Sequence, residues 1–173
     1  MRVSKTDRIL LSLIAVLFAG FLFTIRNSFE PRIIEKGDSA PGFSITTDSG
    51  KRITRSDFGG KLLVLNFWAT WCPPCIEEMP SLHQFAREMS NSGVVVLGVS
   101  IDKNEQNYKR FLQRNPVGFE TARDPNADIA ADYGTFKWPE TYIIGSNGKV
   151  LEKYIGPMEW TNPKVIASIK EML

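Results

Sequence analysis

Residues 62–68 read L-L-V-L-N-F-W, seven positions with one polar member and no alternation. A β-strand with a solvent face alternates apolar and polar residues. A run of this composition must be buried on both faces, as in a sheet covered by helices. Residues 94–101, V-V-V-L-G-V-S-I, repeat the pattern. Between the two runs Ile76, Met79, Leu82, Phe85, Ala86 and Met89 recur at helical spacing, ending near N-S-G at 91–93. A buried strand, an amphipathic helix and a second buried strand make a parallel crossover. The chain is therefore expected to be an α/β protein.

The flanking segments extend the plan. Residues 43–46 and 51–54 alternate like two short strands around D-S-G. Residues 104–114 read as a polar helix with Tyr108, Phe111 and Leu112 on one stripe, and 127–133 as another short helix. Residues 141–144 and 149–155 flank G-S-N-G, where Asn-Gly signals a tight hairpin. Asn162 and Pro163 suit the N-cap and first position of a last helix to about Met172. Crossovers followed by a hairpin imply a central mixed β-sheet flanked by helices on both faces.

Four of the 21 basic and two of the 19 acidic residues lie in the first 30 positions, so the remaining chain is neutral. A neutral domain offers no electrostatic footprint for nucleic acid, and that partner is set aside. Residues 1–8 carry Arg2, Lys5 and Arg8, an uncharged run fills 9–25, and Arg26 closes it. About 17 apolar residues make roughly 25 Å of helix, the short end of a bilayer span. The segment T-I-R-N-S-F that follows lacks a small-x-small cleavage site. The expectation is a basic cytoplasmic N-terminus (1–8), a membrane anchor helix (9–25), a linker (26–37) and a folded domain (38–173). The basic flank favours a cytoplasmic N-terminus, which puts the domain outside, in the periplasm or at the cell exterior. Disulfide chemistry is available there.

Both cysteines of the chain lie in W-A-T-W-C-P-P-C-I-E-E-M-P, residues 68–80. A Cys72–Cys75 staple would close only four residues, worth about 2 kcal/mol before strain. A structural zinc site needs four ligands, and His83 lies about 12 Å along the helix from Cys75. His83 is expected to face solvent. A reactive pair fits the position better. Cys72 at a helix entrance meets free N–H groups and the helix dipole, which favour a thiolate. Cys72 is thus the candidate exposed nucleophile, and Cys75, one turn in, the more buried resolving thiol. Pro73 and Pro74 remove two N–H donors from that entrance, which leaves a less stabilised thiolate and makes the pair a reductant.

Glu78, three residues after Cys75 on the same helix face, can relay the proton of Cys75, whereas Glu77 is expected to be solvated. Ordinary first-turn acids complementing the helix dipole would carry the same two residues. Pro80 is expected to kink the helix. Trp68 reads as core, and Trp71 as part of a partner-binding surface. No metal and no cofactor are expected, since two sulfurs carry the chemistry.

These residues resemble the active-site segment of thioredoxin-like proteins, specifically the membrane-anchored TlpA/ResA/CcmG group of thiol-disulfide oxidoreductases. The likeness runs over about residues 37–173. It takes in G-D-S-A-P-G-F, G-K-L-L-V-L-N-F-W, the W-C-x-x-C motif with its acid, and Y-G-T-F-K-W-P-E-T-Y-I-I-G-S-N-G-K-V. It implies a thioredoxin-like fold with the group's N-terminal β-hairpin extension and a central insertion at about 102–132. It further implies a cis Pro139 beside the cysteines, whose loop with Trp138 and Glu140 joins Trp71, Pro73 and Pro74 in binding substrate. The P-E-T sequence is similar to that of reductants of cytochrome c maturation. The implied partners are protein disulfides, including apocytochrome c or its maturation factors, and a membrane-embedded electron donor. Asn66 stands where many thioredoxins have a buried Asp, so a proton relay falls to Glu78 or water. Bulky Trp138 is a further departure. Other readings are a general periplasmic disulfide reductase, a thiol peroxidase of the same fold and a redox-inert client-binding module. A peroxidase would place its cysteine in a different motif.

Overall fold

A computed structural model describes residues 4–28 and 33–173, with the side chains of 26–28 left aside. The described residues form two compact units, an N-terminal helix and the unit beginning at Ile33. The helix, α1 (Lys5–Ser28), has a mean hydropathy of 2.3 over Lys5–Ile25, long and apolar enough to cross a membrane. It is a candidate membrane anchor or signal, and its described side chains are exposed.

In the second unit the elements run β1 (Ser44–Thr46), β2 (Arg52–Thr54), β3 (Leu62–Trp68), α2 (Pro73–Met89), β4 (Val94–Ser100), α3 (Glu105–Arg114), β5 (Glu120–Arg123), α4 (Asp128–Asp132), β6 (Glu140–Ile144), β7 (Val150–Ile155) and α5 (Pro163–Glu171). Strands β1 and β2 form an antiparallel hairpin. The other five make one mixed sheet in the order β5-β4-β3-β6-β7. Central β3 is buried at all seven positions, as its composition demands, with β4 parallel on one side and β6 antiparallel on the other. This is a thioredoxin-like α/β fold.

The two faces of β3 feed different cores. Leu63, Leu65 and Phe67 point into a cluster with Ile34, Tyr133 and Tyr142. Leu62 and Val64 point into another, with Leu82, Phe85 and Met89 of α2 and with Trp160 and Ile169. Trp68 and Ala69 open a third, smaller cluster that holds the cysteines. Helix α2 runs from Pro73 to Met89 with Pro80 inside it. In the β6–β7 turn Gly148 has φ +76°, and a Cβ there would stand 2.2 Å from Arg55 Nη1. The positive φ favours glycine here, while the Arg55 guanidinium, at the end of a flexible side chain, would have to move aside for a Cβ. Asn162 caps α5 by accepting from Lys164 N at 2.9 Å, with Pro163 at the first position.

Two segments differ from the sequence-based expectation. Strand β5, E-T-A-R, shows no strand signal, yet it pairs parallel to β4. The segment expected as linker belongs to the folded unit from Ile33 onward, while residues 29–32 of it lie outside the described residues. Ile34 is buried, Ile34 N donates to Tyr133 O, and Gly37 N donates to Val150 O.

Candidate active site

Strand β3 ends at Trp68, and after the three-residue loop Ala69–Trp71 the chain enters α2 with Cys72 as its N-cap. Cys72 and Cys75 form a disulfide. Within it, Cys72 Sγ accepts a hydrogen bond from Cys75 N at 3.3 Å. Pro73 and Pro74 fill the first two helical positions and have no N–H to offer. The next donor, Ile76 N, is engaged by the Cys72 carbonyl at 3.2 Å. The helix entrance thus presents the sulfur with a single N–H.

The expected exposure of Cys72 does not hold in this oxidised form. Cys72 is 4% and Cys75 1% exposed. Both pack in one cluster with Trp68, Ala69, Met79 and Tyr108, against which Trp138 also lies. That apolar cover accounts for the difference. What faces solvent is the surround: Trp71 at 59% exposure, Pro73, and half-buried Pro74. A cavity of about 360 Å3 opens between Thr70–Trp71 and residues 101–104. Glu77 is exposed, and His83 is half-buried against Gly118 rather than fully solvent-facing.

Glu78 lies one turn beyond Cys75, on a helix face where residues three apart are neighbours. It is buried, and its carboxylate is held by three N–H donors. Asn66 Nδ2 donates to Oε1 at 2.8 Å, while Met158 N and Trp160 Nε1 donate to Oε2 at 2.9 and 3.4 Å. Burial pushes the Glu78 carboxyl above the ordinary carboxylate range, partly offset by the donors from Met158, Asn66 and Trp160. Asn66 also donates to Thr141 Oγ1 at 2.9 Å, so it serves as a bracket between β6 and Glu78.

The Trp138–Pro139 peptide is cis, as the resemblance implies, and Pro139 is buried. Pro139 O accepts from Gly156 N at 2.9 Å. Trp138 is half-buried. Glu140 differs from its expected place among substrate-contacting residues. In the β3–β6 register Glu140 pairs with Phe67 and Thr141 with Asn66. Successive strand residues point to opposite faces, so Glu140 lies on the face away from Glu78. It is 0% exposed, accepts from Tyr142 Oη at 2.6 Å and pairs with Lys153 Nζ at 3.2 Å. Among the described residues no group of three or more His, Cys, Asp or Glu side chains is placed to hold a metal ion.

Sequence reasoning did not single out Trp160, which binds Glu78; Asp102, which binds the loop before Cys72; or Lys153, which pairs with Glu140. Asp102 is buried and binds Thr70, two residues before Cys72. Their partners are remote in the chain, and no local pattern marks them.

The AhpC/TSA family profile matches residues 36–153. The chain belongs to the AhpC/TSA family. Within it the relatives are thioredoxin-like thiol-disulfide oxidoreductases. Thiol-disulfide oxidoreductase ResA of Bacillus cereus is 33% identical over 156 residues, 88% of this chain and 90% of that protein. Thioredoxin-like protein YneN of Bacillus subtilis is 35% identical over 127 residues, 72% and 74% of the two chains. Among solved structures, a putative thiol:disulfide interchange protein DsbE from Chlorobium tepidum superposes with a TM-score of 0.71 at 30% identity. That match covers 80% of this chain and 95% of the other. The expected thioredoxin-like fold and thiol-disulfide oxidoreductase class are thereby met.

Proposed function

We propose that the protein is a membrane-anchored, extracytoplasmic reductant of protein disulfides, with Cys72 as nucleophile, Cys75 as resolving thiol and Glu78 as proton relay. The single N–H available to Cys72 Sγ carries this reading. With Pro73 and Pro74 unable to donate, the thiolate gains less stabilisation than at a fully donating helix entrance. A less stabilised dithiol form gives up its electrons more readily.

In the reaction the Cys72 thiolate attacks one sulfur of the client disulfide, and the client's other sulfur leaves as a thiolate. Cys75 then attacks Cys72 Sγ, its proton passing to the Glu78 carboxylate and on to the departing client thiolate. Two electrons leave the protein, and the Cys72–Cys75 disulfide results. Around the pair, Trp71, Pro73, Pro74, Trp138 and Pro139 form the docking surface. The exposed apolar side chains of Trp71, Ile76, Phe136 and Ile155 support this. Each lies close to Cys72, Cys75 or Pro139 in sequence or in the sheet ladder.

Helix α1 serves as the anchor. The basic residues flanking its apolar run hold the N-terminus in the cytoplasm and the folded unit that begins at Ile33 outside. Reducing equivalents then come from a membrane-embedded donor. The P-E-T segment at 139–141 favours cytochrome c maturation, with apocytochrome c or its maturation factors as clients. Trapping in cells with Cys75→Ala tests this. Mixed disulfides through Cys72 to a c-type apocytochrome or a maturation factor are expected. Capture of unrelated clients would leave a general reductase, and capture independent of Cys72 a binding module. The reduction potential of the pair is the second measurement. It is expected well below that of strong periplasmic oxidants, and a value near roughly −120 mV would reverse the assigned direction.

A further inference from the structure

The loop Ala69–Trp71 decides where Cys72 stands, and one buried side chain outside the motif holds it. Cys72 N donates to Ala69 O at 3.2 Å, closing a turn with Thr70 at its apex. Both polar groups of Thr70 turn inward to Asp102. Thr70 N donates to Asp102 Oδ2 at 2.8 Å and Thr70 Oγ1 to Asp102 Oδ1 at 2.6 Å. Asp102 is itself fixed. Ser100 Oγ donates to its Oδ2 at 2.6 Å, and Asp102 N donates back to Ser100 Oγ at 3.1 Å. Ser100 is the last residue of β4 and pairs with Trp68, the last of β3. Arg123 Nη1 donates to the Asp102 carbonyl at 3.4 Å. Asp102 is 3% exposed and Ser100 fully buried.

We propose that Asp102 is a positioning residue for the reactive pair, its buried carboxylate clamping Thr70 and so setting the turn that presents Cys72 to Cys75 at the entrance of α2. This rests on Cys72 and Cys75 working as a dithiol/disulfide couple. Closing an intramolecular disulfide depends on how far the two sulfurs are held together before reaction. Two hydrogen bonds from Thr70 to one buried carboxylate, itself tied to β4 through Ser100, are a strong restraint on a three-residue loop. Releasing Thr70 lets the turn open, lowers the effective concentration of one sulfur at the other, and weakens the disulfide against external thiols. Asp102 touches neither sulfur in the hydrogen-bond network and acts through the turn alone.

Equilibration of the full-length protein with glutathione tests the clamp. In that reaction the dithiol passes two electrons and two protons to oxidised glutathione, giving the Cys72–Cys75 disulfide and two reduced glutathione molecules. Asp102→Ala is expected to lower the equilibrium constant about tenfold, a shift of about 30 mV toward less negative potential. Asp102→Asn is expected to stay within about twofold of wild type. Its amide oxygen still accepts from Thr70 N and Ser100 Oγ, and its NH2 donates to Thr70 Oγ1. Should Asp102→Ala fail to fold, Thr70→Val removes the hydroxyl bond alone, and a drop of about threefold is expected. A folded Asp102→Ala or Thr70→Val protein with the wild-type constant would overturn the clamp. So would an Asp102→Asn shift as large as that of Asp102→Ala, which would make charge the cause. Wild-type protein inert toward glutathione would overturn the redox reading itself, and the clamp with it.

Discussion

Glu78→Gln is expected to slow resolution of the mixed disulfide by about 10²-fold or more at neutral pH, while the first attack by Cys72 is unaffected. Resolution requires Cys75 to shed its proton inside a cluster of apolar side chains, where water offers little help. In the proposed mechanism the base is the Glu78 carboxylate, one turn away on the same helix. Gln cannot take the proton but can take the place. Its oxygen, set where Oε2 now lies, keeps the bonds from Met158 N and Trp160 Nε1. Its NH2 then faces Asn66, and rotation of the Asn66 amide turns an oxygen toward it. The fold is therefore expected to survive, which makes rate the informative quantity. Single-turnover mixing with a disulfide peptide separates the two steps. Equal resolution rates in wild type and variant would remove Glu78 from the mechanism.

The same substitution carries a pH signature. Burial raises the folded-state pKa of Glu78 above its unfolded value. The folded protein then binds the proton more tightly than the unfolded chain does. The stabilisation this gives is fully present below the unfolded pKa and is lost as pH rises through the folded one. Wild type should therefore lose stability relative to Glu78→Gln over that window, upward from about pH 4.3. Wild-type resolution should accelerate over the same window, as the base form appears, whereas the variant should lack that rise. Thermal unfolding and quench rates across the acidic-to-neutral range read both.

What was legible in the sequence was what local composition determines. L-L-V-L-N-F-W has no polar face, so β3 could only be a central strand. The spacing of Leu82, Phe85 and Met89 had to form one helix stripe, and Asn147-Gly148 had to turn. The cysteine motif was legible for the same reason, since two thiols at that spacing on a strand-to-helix junction have few other uses. Strand β5 was not, because at the sheet edge only Thr121 and Ala122 are buried and four residues give no period. Exposure of Cys72 was misjudged because its cover comes from Tyr108 and Trp138, outside the motif. Glu140 was misplaced because its neighbour Pro139 fixes where the strand begins but not which face a residue takes. The brackets that complete the site span the chain: Thr70 to Asp102, 32 residues; Glu78 to Trp160, 82; Lys153 to Ile34, 119. Only the folded sheet brings such pairs together.

Lys153→Met should prove the most destabilising single change near the site, by about 3–5 kcal/mol. The Lys153 side chain is 4% exposed, and its Nζ reaches Glu140 Oε1 at 3.2 Å, Glu35 Oε1 at 3.2 Å and the Ile34 carbonyl at 3.0 Å. It also lies 5.3 Å from the centre of the Tyr142 ring. Met keeps much of the packing volume and removes the charge. Glu140 is then left fully buried with only the Tyr142 hydroxyl, because its Oε2 has no hydrogen-bond partner among the described residues. An uncompensated buried carboxylate is far costlier than the pair it came from. The converse change, Glu140→Gln, is expected to cost less, since Lys153 retains Glu35 and the Ile34 carbonyl. The double variant, with no charge left to strand, should recover most of the loss. Thermal unfolding of the full chain checks the order: a fall of about 10 °C or more for Lys153→Met, less for Glu140→Gln, and near-recovery for the double change. If Lys153→Met melted with wild type, the ion pair would not be what holds Glu140 inside. The segment entering the domain at Ile34 would then owe its attachment to packing and backbone bonds alone.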